Sequence, residues 1–129
     1  MTIPTGSVTD MLERGDVMAA QCPSRALLRH VTSQWGVLVL TVLLSGTQRY
    51  SEIKHRINGI SEKMLAQTLR TLEHDGFVTR TVHPVVPPRV DYDLTAAGQE
   101  VARRITDLVN WIEDNVGTLL PAESAPAAL

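Results

Sequence analysis

The sequence predicts a mainly α-helical domain carrying one small β-hairpin, and three patterns predict it. Apolar residues recur at intervals of three and four over residues 64–72 and again over residues 101–119, which gathers them on one face of a helix. Between these stretches, residues 77–83 alternate apolar or branched with polar side chains, as a half-buried strand does. Residues 89–94 then return as a second strand after a tip stiffened by Pro84, Pro87 and Pro88. Finally, Ser51, Ser61 and Thr95 stand where a helix start needs a side-chain oxygen to accept from its free N–H groups.

The elements follow in order. Residues 8–20 carry Val8, Met11, Leu12 and Met18 at roughly helical spacing and predict a short helix weakened by Gly15. Cys22-Pro23 opens a second helix, because proline is favoured where the backbone N–H would have no partner; Leu27, Leu28 and Val31 supply its expected buried stripe. Residues 35–44 are apolar nearly all round, the mark of a central helix, and Gly46 stops it. Ser51 is expected to cap a brief helix over residues 52–57, with Ile53 and Ile57 inward and Asn58-Gly59 closing it. Ser61 caps the next helix, which ends at Gly76. Its inner face is Met64, Leu65, Thr68, Leu69 and Leu72, and its outer face Lys63, Gln67, Arg70 and His74. Thr95 caps the last helix, and the Ala/Pro/Ser tail is expected to be disordered.

Composition bounds the function. The chain has 129 residues, 43% hydrophobic and 20% charged, a globular balance and one domain's worth of length. The formal charge is −2 and the pI about 6.0, whereas a plainly cationic nucleic-acid binder has a pI above about 9. The average conceals a split. Residues 49–89 hold seven Lys and Arg against four acids, or +3, whereas residues 90–129 hold two against seven, or −5. The excess base lies on the paired helices and the first strand and tip of the hairpin, as far as Arg89. Aromatic content of 4% argues against a stacking platform for single-stranded bases. One cysteine, Cys22, excludes an intrachain disulfide and any multi-cysteine zinc site. His30, His55, His74 and His83 fall on separate elements, and no phosphate loop or nucleophile motif occurs. An enzyme is therefore not expected, nor a cofactor or bound metal. No signal segment or membrane span is read, so a cytoplasmic location is expected.

A short helix, a turn containing glycine, a second helix, a hairpin and a long helix together make a winged helix-turn-helix. In that arrangement one helix braces another whose exposed N-terminal half enters the major groove of double-stranded DNA. The hairpin lies along the neighbouring backbone or minor groove. Several segments resemble the HxlR family of bacterial transcription regulators: Cys22-Pro23, Trp35, Arg49-Tyr50-Ser51-Glu52-Ile53, Gly59-Ile60-Ser61-Glu62-Lys63-Met64-Leu65, Leu69-Arg70-Thr71-Leu72-Glu73 with Asp75-Gly76, and Pro87-Pro88-Arg89-Val90-Asp91-Tyr92-Asp93-Leu94-Thr95 with Gly98. The resemblance spans roughly residues 22–111 and implies a homodimer on a palindromic operator. One departure stands out. Thr32, Ser33 and Gln34 replace the Gly-Gly-Lys that usually precedes the tryptophan, which removes a lysine expected on the DNA backbone.

On this reading Lys63, Gln67 and Arg70 are the recognition-helix candidates, with Ser61 on a phosphate. Arginine matches the paired acceptors of guanine, and glutamine the donor–acceptor pair of adenine. Arg49, Arg80 and Arg89 are the candidates for the wing and the DNA backbone; a pairing of Arg89 with Asp91 is the competing use of that side chain. Met11, Leu12, Ile105, Leu108, Ile112, Val116 and Leu119 are the candidate dimerisation residues. The expected division is a dimerisation arm over 1–21, the DNA-binding domain over 22–95, a dimerisation helix over 96–120 and a tail over 121–129. Cys22, at a helix start and one turn from Arg25, is either a sensor of oxidants or electrophiles or an inert structural thiol. With no second cysteine, oxidation would have to give an intersubunit disulfide, a mixed disulfide or an adduct. Two alternatives keep the same fold: a regulator controlled by a small apolar ligand between dimer helices, and a winged-helix module for protein association.

Overall fold

In the computed structural model, which describes residues 16–120, helices and strands follow one another as α1 (Pro23–Thr32), α2 (Gln34–Leu43), β1 (Gln48–Arg49), α3 (Tyr50–Arg56), α4 (Glu62–His74), β2 (Val78–His83), β3 (Arg89–Leu94) and α5 (Ala96–Leu119). The fold is the expected one, a helical domain with a hairpin wing. The expected residues Met11 and Leu12, most of the N-terminal helix and the tail from 121 lie outside the described residues. Among the described residues no single helix is long and apolar enough to cross a membrane.

The core forms where α2 meets α4. Val39, Leu40 and Leu43 of α2, Ile53 of α3, and Leu65, Leu69 and Leu72 of α4 are almost wholly removed from water. Burial of a Leu or Ile side chain contributes about 1.5–3 kcal/mol, so this cluster orients three helices at once. One hydroxyl makes the corner between α1 and α2. Ser33 Oγ donates to the His30 carbonyl (2.9 Å) and accepts from Gly36 N–H (3.1 Å), and the chain bends there by 72°. Ser33 thus stands as the cap of α2, in the segment that departs from the family pattern.

Three strands, not two, form the sheet. β3 is central, with β2 antiparallel on one side and the two-residue β1 on the other. β1 was not expected, because two residues carry no alternation to read; Gln48 opposite Tyr92 and Arg49 opposite Asp91 define it only through β3. Buried Gln48 is held by donating to the Val42 carbonyl at 2.7 Å and to Ser45 Oγ at 3.1 Å. In β2 only Val78 is buried, so the expected half-buried alternation is lost and both faces of the outer wing meet solvent. That follows from position: among the described residues no helix lies beneath the hairpin beyond the first residues of β2 to cover its apolar side chains.

Three further expectations are corrected. Residues 16–20 are turns rather than the end of a helix. The Asp16 carboxylate accepts from Met18 N–H (3.1 Å), the competition a short acidic side chain offers a helix. Leu27 and Leu28 do not form a buried stripe with Val31; Leu28 is 49% exposed, because no element among the described residues covers that face of α1. Ser51 is not a cap. α3 starts two residues earlier, with Arg49 at its N-cap and the Arg49 N–H donating to Glu52 Oε1 at 2.8 Å.

Thr95 docks the last helix. Its hydroxyl donates to the Gly76 carbonyl (2.6 Å) and accepts from Gly98 N–H (3.0 Å), joining the start of α5 to the end of α4. Gly98 permits that contact, since a Cβ there would lie 2.0 Å from the Phe77 carbonyl oxygen. Gly98→Ala should therefore lower the unfolding free energy by about 1–3 kcal/mol, as overpacking does, measured by denaturant titration. A variant as stable as the parent would refute the close approach.

Candidate nucleic-acid interface

The turn 57–61 sets α4 across α3. Gly59, with φ +90, takes the backbone conformation that side chains resist, and Ser61 Oγ then accepts from Met64 N–H at 3.0 Å. From α3 the Tyr50 hydroxyl donates to the Glu62 carbonyl at 2.8 Å, clamping the first turn of α4. Burial, then the neighbouring Glu62, pushes the Tyr50 phenol up, so it keeps the proton it donates. With Leu65, Leu69 and Leu72 held inward, the helical repeat leaves Lys63, Gln67, Arg70 and His74 exposed, as their spacing predicts.

The cations divide into two grooves that meet at Tyr50. Arg70 of α4 and Arg80 of β2 line one, together with Tyr50, Glu73 and Tyr92. Arg49 and Arg89 line the other, between the start of α3 and the wing tip. The ion pairs among the described residues involve neither Lys63, Arg70, Arg80 nor Arg49. Arg89 is different: its Nε lies 3.6 Å from Asp91 Oδ1, while Asp91 Oδ2 is 2.9 Å from His83 Nε2. One acid therefore holds both a cation and a wing histidine. At the tip, Val86 is 100% exposed. Tyr50 and Asp91 were not singled out as site residues. The repeated presence of Tyr50 inside the Arg49-to-Ile53 motif was the available signal for the first; for the second there was only the competing pairing with Arg89.

Cys22 is the N-cap of α1, partly exposed, with Pro23 in the first turn. Its thiol is held below the usual range, first by the nearby Ser24 side chain, then by the backbone N–H groups of Ser24 and Arg25; partial burial and, more weakly, Asp16 oppose them. The guanidinium of Arg25, expected to act on the thiol, donates instead to the Met18 carbonyl at 3.0 Å. Along α5, Ile105 is 8% exposed and belongs to the core, so the uncovered apolar seam starts at Leu108 and continues through Trp111, Ile112, Val116 and Leu119. No cluster of three metal-ligating side chains occurs among the described residues.

With this geometry established, comparison with known proteins decides the family. A family model for the HxlR-like helix-turn-helix matches residues 30–119. The chain belongs to the HxlR-like family. Over 122 residues it is 48% identical to the HTH-type transcriptional regulator YtfH of Escherichia coli K12, spanning 95% of this chain and 97% of that one. A solved structure of the transcriptional regulator ytfH from Salmonella typhimurium superposes with a TM-score of 0.77 at 50% identity, covering 81% of this chain and 94% of the other. The redox regulator HypR in its oxidised form matches with a TM-score of 0.67 at 32% identity, over 73% and 97%. As an HxlR-like protein the chain is a transcriptional regulator with a DNA-binding helix-turn-helix, in a family of regulators and not of enzymes.

Because the Ser24 side chain does most to favour the thiolate, Ser24→Ala should shift the pH midpoint of Cys22 alkylation by iodoacetamide upward. The parent midpoint should lie below that of a free thiol, about 8.5. The sign follows from the thiolate being the nucleophile: what stabilises it extends reaction to lower pH. Equal midpoints in the two proteins would remove the role of Ser24.

Proposed function

We propose that this HxlR-like regulator is a homodimeric repressor of a palindromic operator, in which α4 enters the major groove and the wing follows the flanking backbone. The observation that carries the reading is the outer face of α4, where Lys63, Gln67 and Arg70 stand exposed while the inner face is fixed in the core. Ser61 at the helix start is assigned to a phosphate, and Arg49, Arg80 and Arg89 to the backbone or minor groove. A module for protein association would have little use for an unpaired cation and amide set on that face.

The dimer rests on two uncovered faces. Leu27 and Leu28 on α1, and the α5 seam of Leu108, Trp111, Ile112, Val116 and Leu119, expose apolar surface that burial against a second copy would remove. Twofold symmetry then sets two recognition helices about 34 Å apart on successive major grooves. The division into an arm over 1–21, a DNA-binding domain over 22–95 and a dimerisation helix over 96–120 follows the same logic. Cys22 is assigned the signal, since its thiol is lowered and partly exposed. The name of HypR, a redox regulator, supports that assignment by likeness. With one cysteine in the sequence, the signal takes the form of an intersubunit disulfide, a mixed disulfide or an adduct.

Gel shifts on the DNA upstream of its own gene test the first reading. Gln67→Ala or Arg70→Ala should cost about 1–3 kcal/mol at the matched base and relax specificity there. Arg89→Ala should weaken all sequences and lower the salt slope by about 1. Ile112→Asp should halve the sedimenting mass and remove tight operator binding. No sequence-specific shift at low salt would sink the reading. For the signal, diamide should release the operator from the parent protein and leave it on Cys22→Ser; release from both would discard Cys22 as the sensor.

A further inference from the structure

A second groove runs along the flank of α4 that faces away from the wing. The wing-side groove uses Ala66, Leu69, Arg70 and Glu73, whereas this one uses Met64, Gln67, Thr68 and Thr71, roughly the other half of the helical wheel. Arg29 and His30 of α1 and Trp35 of α2 close it, around a space of about 290 Å³. That lies at the small end for ligand sites, which begin at about 300 Å³, and suits a single ring.

Its polar groups divide into those already engaged and those free. Ser33 Oγ is spent on the α1–α2 corner, and Thr68 Oγ1 donates to the Met64 carbonyl at 2.7 Å. Asp75, at the end of α4 with a side chain only 7% exposed, lies 2.6 Å from His30 Nδ1. The Asp75 carboxylate accepts at Nδ1, which leaves Nε2 as the ring atom open to a ligand. Arg29 enters no ion pair among the described residues. The groove therefore offers one cation, one imidazole nitrogen, the side chains of Gln67 and Thr71, and an apolar wall from Trp35 and Met64.

We propose that this groove binds a small hydroxyaryl carboxylate. The ring lies against Trp35 and Met64, the carboxylate accepts from the Arg29 guanidinium, and the phenolic hydroxyl hydrogen-bonds with His30 Nε2. Because Gln67 lines the same space, occupancy withdraws it from DNA, so the ligand weakens operator binding. Only this last step rests on the DNA reading given above; binding itself does not. The site differs from the Cys22 thiol and from the α5 seam, so the regulator would answer to a molecule as well as to an oxidant.

Titration of 4-hydroxybenzoate against the full chain tests the site without DNA. By isothermal titration calorimetry on the parent chain, the heat of binding should saturate. Arg29→Gln should weaken binding about tenfold, the scale of one charge-assisted hydrogen bond. Phenol, lacking the carboxylate, should bind at least as weakly as that variant binds the acid. His30→Gln, which can still reach Asp75, provides a second variant and should also lose affinity. No saturable change, equal binding of phenol, or affinity unchanged by both substitutions would overturn the proposal. Displacement by inorganic phosphate at equal concentration would do so too, marking the groove as a DNA-backbone contact. Added to gel shifts, the acid should reduce operator affinity for the parent but not for Arg29→Gln. Binding without that effect would overturn the link to Gln67.

Discussion

Thirteen residues of α4 must lock into the core on one side and present a readable surface on the other, and the contact of Leu65, Leu69 and Leu72 with α2 decides both. A helix has one rotational setting once three of its side chains are buried. Lys63, Gln67 and Arg70 are then outward by geometry, with no further interaction needed to hold them there. The remaining contacts adjust where the helix points. Gly59 and Ser61 set its start, the Tyr50 hydroxyl clamps its first turn, and Asp75 and Thr95 hold its far end to α1 and α5. Each of these is a hydrogen bond worth about 0.5–1.5 kcal/mol net, so together they rival one buried leucine while fixing direction, which burial alone does not.

The same core explains why the protein leaves so much apolar surface bare. A small three-helix centre covers only the first three turns of α5, as far as Ile105, and only Val31 of α1. Beyond that limit the helices continue with Leu27, Leu28, Ile112 and Val116 turned to solvent. Charge follows the same partition: the +3 segment carries the recognition helix and the wing as far as Arg89, and the −5 segment carries the rest of β3 and α5. A modest positive excess means that affinity for DNA would lean on geometry and base contacts beside counterion release.

Much of this was legible in the residues. The outer face of α4, the caps at Ser61 and Thr95, the hairpin and the position of Cys22 before Pro23 follow from local spacing and local chemistry, and each stands in the structure. The readings that failed shared a cause. Leu27 and Leu28 have the right period for burial, but period says which residues share a face and not whether anything covers it. Ile105 looked like the first residue of an intersubunit seam and is the last of the core, since only the docking of α5 on α2 sets that boundary. Ser51 is as good a cap residue as any, yet β1 pairing with β3 carries the extended backbone as far as Arg49 and leaves Ser51 inside the helix.

What the sequence determined by itself is the order of elements, the family, and which side chains α4 turns outward, because these depend on interactions spanning four residues or fewer. Tertiary structure alone decided the groupings: Arg70 with Arg80, Arg49 with Arg89, Asp91 holding both Arg89 and His83, and His30 reaching Asp75 across 45 positions. Those pairings depend on where a wing folds back and how sharply α1 turns into α2. Periodicity carries no information about contacts between residues so far apart in the chain; only the packed core brings them together.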